Sequence, residues 1–211
     1  MKYTHVLWDF NGTLLDDVEP CINSINELLE RHELKKLTSL AQYQSVFGFP
    51  IIDYYKRIGF DFDKTSYDEL AVEWVKLYNE YNRPLKLCPN AEKALAYLKE
   101  RGVPQLILTA SSVDMVKAQL SELGIGGYFD EIVGVDNIHA YGKAGIAAEW
   151  IKRERPGRAV LIGDSDHDSE VAASVGIDCL LVSCGHMNAE KLAHLRAVFR
   201  DPLDAVKSIS E

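Results

Sequence analysis

The sequence predicts an α/β fold: a doubly wound parallel sheet whose first strand is followed by an inserted all-helical segment. Three observations carry that expectation. From Pro89 onward, short apolar and β-branched runs alternate with amphipathic stretches, the pattern of a parallel sheet covered by helices on both faces. One further strand-like run, "YTHVLWDF" (3–10), stands far ahead of that alternation. Between the two lie only stretches with helical spacing of apolar residues.

Taken in order, "YTHVLWDF" reads as a buried strand running into an Asn-Gly turn. "CINSINELLERH", "LAQYQSV", "IIDYYKRI" and "SYDELAVEWVKLYNEY" read as helices punctuated by Gly48, Pro50 and Gly59. Residues 17–84 are thus expected to form the insert, and residues 1–16 with 85–211 the α/β core. The core continues as helix 90–102, strand 105–109, helix 112–124, strand 128–134, helix 143–155, strand 158–164, helix 169–176 and strand 178–183. A short "AVF" (197–199) and the helix "PLDAVKSI" close it. Asn90 and Ser111 or Ser112 stand where helices begin, and Gly102, Gly124 and Gly176 where they end.

At 211 residues and 47% apolar content the chain can bury a large core. Its apolar runs are far shorter than a membrane span, and the N-terminus lacks a basic-apolar-small leader, so a cytoplasmic protein without a membrane partner is expected. A net charge of −9 argues against nucleic-acid binding. An anionic ligand would need cations placed locally. Cys21, Cys88, Cys179 and Cys184 show neither C-x-x-C spacing nor the density of a secreted staple, which reads as four reduced thiols.

In an open parallel sheet, ligands bind beyond the carboxyl ends of the strands. Polar groups fall at four such ends: Asp9, Thr109 with Ser111, Lys143 opening a helix, and Asp164 with Asp168. Each alone has a bland explanation as a cap, a turn or a solvated charge. Ordered along one chain and all at strand ends, they point to a site.

"DFNGT" (9–13), "LTAS" (108–111), the lone Lys143 before a helix and "GDSDHD" (163–168) resemble the four ordered motifs of the haloacid dehalogenase superfamily, closest to its phosphoglycolate-phosphatase-like members. The resemblance implies a Rossmann-like core with a helical cap inserted after the first strand. It also implies a hydrolase acting on a small phosphorylated metabolite, with monomer and homodimer both left open. On this reading Asp9 is the nucleophile, because a carboxylate forms an acyl phosphate that water can later hydrolyse. Asp9, the backbone carbonyl of Asn11, Asp164 and Asp168 are the expected ligands of Mg²⁺, a hard cation that prefers oxygen. Thr109, Lys143, and the backbone near Phe10, Gly12, Ala110 and Ser111 are expected around the phosphoryl oxygens. Asp166 and His167 share the last loop without matching a motif position.

Asn11 departs from the family pattern, in which the residue two after the nucleophile is an aspartate that protonates the leaving oxygen. An amide only hydrogen-bonds, and general acid/base help is worth about 10² to 10⁴ in rate. Three outcomes fit: a substrate with an activated leaving group, a substitute acid/base from the cap, or a phosphate-binding protein with little catalysis. A phosphonate-cleaving relative would use a cap lysine, for which Lys56 is a candidate.

For the substrate's distal part, "SVFGFP" (45–50) is the expected cap loop, with Gly48 and either Phe47 or Phe49 toward the ligand and Arg57 as an anion partner. Asp16 and Asp17 read as hinge residues capping the first cap helix. Asn188 reads as a helix cap. His186 reads as a turn histidine or a group near the phosphate, and Cys184 as no nucleophile.

Overall fold

The computed structural model describes residues 2–134 and 142–210. Six strands, β1 His5–Trp8, β2 Gln105–Leu108, β3 Glu131–Val133, β4 Ala159–Gly163, β5 Asp178–Val182 and β6 Val198–Phe199, form one all-parallel sheet in the order β3-β2-β1-β4-β5-β6. The strand order reverses at β1 and β4, which is where an open sheet leaves a crevice for ligand. Register brings the ends together there, since Trp8 pairs with both Ile107 and Ile162. Asp9 then lies level with Leu108 and Gly163, and Thr109 and Asp164 follow one residue later.

Side-chain alternation divides the strands between two apolar clusters. Val6, Trp8, Ile107 and Val160 pack on one face with α5 Ala91–Lys99, α6 Val113–Leu123 and α10 Pro202–Ser208; Leu7, Leu106, Leu108 and Leu161 pack on the other with α7 Lys143–Glu154, α8 Asp166–Val175 and α9 Ala189–Ala193. A polar pair inside, Trp8 with Gln105, is satisfied: the indole N–H donates to Gln105 Oε1 at 3.0 Å, and Gln105 Nε2 donates to the Leu95 carbonyl at 3.0 Å.

Four helices, α1 Val18–Arg31, α2 Leu40–Val46, α3 Ile51–Arg57 and α4 Tyr67–Tyr81, interrupt the chain between β1 and α5. They share an apolar cluster of their own that includes Ile25, Leu28, Tyr43, Tyr54, Leu70 and Leu77. The entering and leaving strands touch where they cross: Leu15 bridges Leu87, and the Asp16 amide donates to the Lys86 carbonyl at 2.9 Å.

Several boundaries differ from the sequence reading. The third strand covers only Glu131–Val133, because Gly126–Tyr128 forms a 3₁₀ turn before it. Helix α8 starts at Asp166 rather than Ser169: Ser165 and Asp168 form a capping box, which draws the acidic run into the first turn, where carboxylates favour the helix dipole. Asn90 precedes α5 in a left-handed conformation with no capping bond, and its side chain donates instead to Asp201 at 2.8 Å. Ser112 and Asn188 cap as expected, by accepting from Met115 N and Lys191 N. Among the described residues, no helix is long and apolar enough to cross a membrane.

Candidate active site

The strand-end groups converge. Lys143, at the start of α7, donates from Nζ to Asp9 Oδ1 at 2.5 Å and to Asp168 Oδ1 at 2.6 Å, and all three side chains are buried. Asp164 lies across from them, with Thr13 Oγ1 at 3.3 Å from both its Oδ1 and Asp9 Oδ2. The other Asp168 oxygen accepts from Asp164 N, Ser165 N and Ser165 Oγ at 3.2, 3.1 and 2.6 Å. Asp168 therefore spends both oxygens on organising the loop and on orienting Lys143.

Crowding of charge sets the protonation. Burial pushes the Asp9 carboxyl up to about 8 even against Lys143, with Asp168 and Asp164 adding to the rise. Burial likewise lifts Asp164 to about 6, partly opposed by His186. Burial works against the Lys143 ammonium, but Asp168 and Asp9 outweigh it and hold its pKa above the ordinary lysine value. Lys143 pairs with two of three buried carboxylates, Asp9 and Asp168 but not Asp164, and oxygen atoms from all three lie within 4.8 Å of one another. Such an all-oxygen, charge-deficient group fits a hard divalent cation, which would also keep Asp9 ionised.

A second node adjoins it. The Asp17 carboxylate follows the last core residue before α1 but makes no cap bond there. It turns back instead, accepting from Gly12 N (2.8 Å), Asn11 Nδ2 (2.7 Å), the Tyr78 hydroxyl (2.8 Å) and His186 Nε2 (3.2 Å). Burial would raise its pKa, yet His186, Asn11 and Tyr78 hold it below the usual carboxylate value. Burial opposes the His186 imidazolium, but Asp17 lifts it to about 9. A charged ring donates from both nitrogens, so His186 Nδ1 donates to the Tyr43 hydroxyl of α2, 2.8 Å away. Gly12 makes this approach possible: at φ +74, a Cβ there would come within 2.6 Å of His186 Cδ2.

Asn11 ties this second node to the loop after β2. Its Nδ2 donates to Asp17 and, at 2.9 Å, to Tyr78, while its Oδ1 accepts from Ser111 Oγ at 3.0 Å. Thr109, Ala110, Ser111 and Phe49 line the cavity above Asp9. Other residues expected around the substrate do not. Phe10, expected there through its backbone, and Gly12, which spends its N–H on Asp17, are not among the residues lining the cavity. Gly48 lies outside the lining, against Arg57 and Met187, and Arg57 is exposed, its Nε bonded to the Val46 carbonyl. Lys56 is 58% exposed and paired with Asp53, away from the cavity, which removes it as an imine-forming lysine. His167 stacks on Phe49 at 4.6 Å.

A model of the family described as "Haloacid dehalogenase-like hydrolase" matches residues 6–182, which covers every strand of the core except β6. The chain belongs to the haloacid dehalogenase-like hydrolases. Among relatives of this hydrolase, a protein named as a pyrophosphatase, PpaX of Caldanaerobacter subterraneus, is 28% identical over 86% of this chain and 82% of its own. A phosphoglycolate phosphatase of Pseudomonas syringae is 23% identical over 89% of this chain and 72% of its own. The solved haloacid dehalogenase-like hydrolase of Streptococcus pneumoniae superposes with a TM-score of 0.79 at 20% identity, covering 98% of each chain. That likeness speaks for the fold.

Proposed function

We propose that this hydrolase is a Mg²⁺-dependent phosphatase of the cytoplasm that moves the phosphoryl group of a small phosphorylated metabolite first to Asp9 and then to water. The observation that supports it best is the Asp9–Lys143–Asp168 triad beside Asp164, a nucleophile, a cation and a metal-binding acid at one sheet end. The names of the relatives, a pyrophosphatase and a phosphoglycolate phosphatase, point to the same class of substrate.

Asp9, Asp164 and the Asn11 carbonyl would hold the cation, with Asp168 behind them orienting Lys143. The cation's contribution is to offset the repulsion between the carboxylate and the anionic substrate. Lys143 and the Thr109 hydroxyl would donate to the phosphoryl oxygens as charge spreads over them. Residues 17–84 would act as a cap that excludes water from the acyl phosphate. With an amide at position 11, proton transfer to the leaving oxygen has no carboxylic acid beside it, which favours substrates whose leaving groups depart unprotonated. The same amide supports a second reading, a phosphate-binding protein with little turnover.

Phosphate release from p-nitrophenyl phosphate separates the two. The first reading expects release with Mg²⁺, loss on chelation with EDTA, recovery on adding Mg²⁺ back, and loss in Asp9→Asn. Release that survives Asp9→Asn, or none at high enzyme concentration, contradicts it.

A further inference from the structure

The cavity over Asp9 has a polar floor and an apolar roof. Along α4, Tyr67, Ala71, Trp74, Val75 and Tyr78 all line it. Their spacing of 4, 7, 8 and 11 residues places them on one helix face. Phe49 and Tyr54 add rings from the preceding loop and from α3. The small Ala71 leaves its space between the larger side chains of that face. The cavity, partly open to solvent and shared with the phosphoryl end over Asp9, holds about 200 Å³, against the roughly 150 Å³ apolar cavity that admits a benzene ring.

Charge is what this roof lacks. Among the described lining residues the cations are Lys143 and His186, the first held by Asp9 and Asp168 and the second by Asp17. Arg57 is spent outside. A carboxylate or second phosphate on the substrate's organic part would be buried among rings with no counter-ion, which is heavily penalised. Two polar atoms do await a neutral partner: the Tyr54 hydroxyl and His167 Nε2 are buried without a hydrogen bond, and both residues line the cavity. Tyr54 is only 4% exposed. A buried hydroxyl in that state calls for a partner, and a polar group on a bound ligand would supply one.

We propose that the substrate of this site is a phosphate ester of an uncharged body built on a single aromatic ring, bearing a neutral hydrogen-bonding group for Tyr54 or His167. Carboxylated esters and pyrophosphate are then poor ligands, whatever the relatives' names. The inference rests on the phosphatase reading above for the phosphoryl end alone; the roof argues the rest.

The test compares benzyl phosphate with 2-phosphoglycolate, both alkyl esters, so that leaving-group effects cancel. Benzyl phosphate is expected to have a kcat/KM about tenfold higher or more, and Ala71→Leu, which fills the roof, to raise its KM while far-UV circular dichroism stays unchanged. Calorimetric binding of benzylphosphonate against phosphonoacetate and methylenediphosphonate reads the same preference without turnover. Phosphate release that favours phosphoglycolate overturns the substrate class and leaves the phosphatase reading standing. Absent turnover with benzylphosphonate bound about tenfold tighter overturns the phosphatase reading and supports the pocket. Equal binding, or none, overturns the pocket.

Discussion

Asn11 holds together groups that a carboxylate at the same position would push apart. Its Nδ2 lies 2.7 Å from Asp17 Oδ2, so Asn11→Asp would set a half-buried carboxyl against the buried one of Asp17, and such a pair retains one proton between them. That shared proton is what a leaving alkoxide needs. Asn11→Asp is therefore expected to raise turnover of methyl phosphate over that of p-nitrophenyl phosphate by up to about 10²; equal effects in steady-state assays would remove the leaving-group argument. Asp17 carries a separate prediction. Asp17→Ala strands the His186 imidazolium and the donors on Asn11, Gly12 and Tyr78, which should cost about 3–5 kcal/mol by urea unfolding; a loss below about 1 kcal/mol would contradict the node. At this scale Asp9, Thr109, Lys143 and Asp164 are legible in the sequence because each ends or follows a strand. The node of Asp17, Tyr78 and His186 is not, since its bonds span 61 and 169 residues; His186 alone is flagged, as a turn histidine or a group near the phosphate. Asp17 in particular reads as a helix cap because it holds the capping position while its side chain serves another purpose.

At the scale of elements, periodicity identifies the core strands, most core helices and the four helices of the insert, α9 being signalled only by its cap Asn188, and it errs where local chemistry competes. The capping box of Ser165 and Asp168 extends α8 by three residues into a stretch that reads as an acidic loop. The stretch "SYDELAVEWVKLYNEY" reads only as a helix, yet its aromatic face serves twice: Tyr67 and Tyr78 belong to the insert's apolar cluster while also lining the cavity. A recurring ring on one helix face, with an alanine between, is the signal that reveals such a lining. Between β1 and β2 the Trp8–Gln105 bond offers a clean test of buried polar satisfaction. Gln105→Leu leaves the buried indole N–H unpaired and should lower stability by about 1–3 kcal/mol; denaturation midpoints check this, and an unchanged midpoint would show that the bond carries nothing.

The whole molecule combines two demands. A sheet buried on both faces supplies a rigid base, and the crossing at Leu15 and Leu87 attaches the helical segment to it by two strands of chain. Stability should grade accordingly, because local opening draws on regions with few buried contacts. In hydrogen exchange read by mass spectrometry, β4, fully buried and paired on both sides, is expected to exchange only on global unfolding, and the two-residue edge strand β6 well before it; the reverse order would contradict the described core. On that base, the central claim is chemical: the carboxylate ending β1 briefly carries the substrate's phosphorus. Crystals grown with magnesium and soaked in beryllium fluoride test it most directly. The account predicts a tetrahedral fluoroberyllate bonded to the Asp9 carboxylate with a cation beside Asp164, and density bonded elsewhere, or none at Asp9, would contradict it.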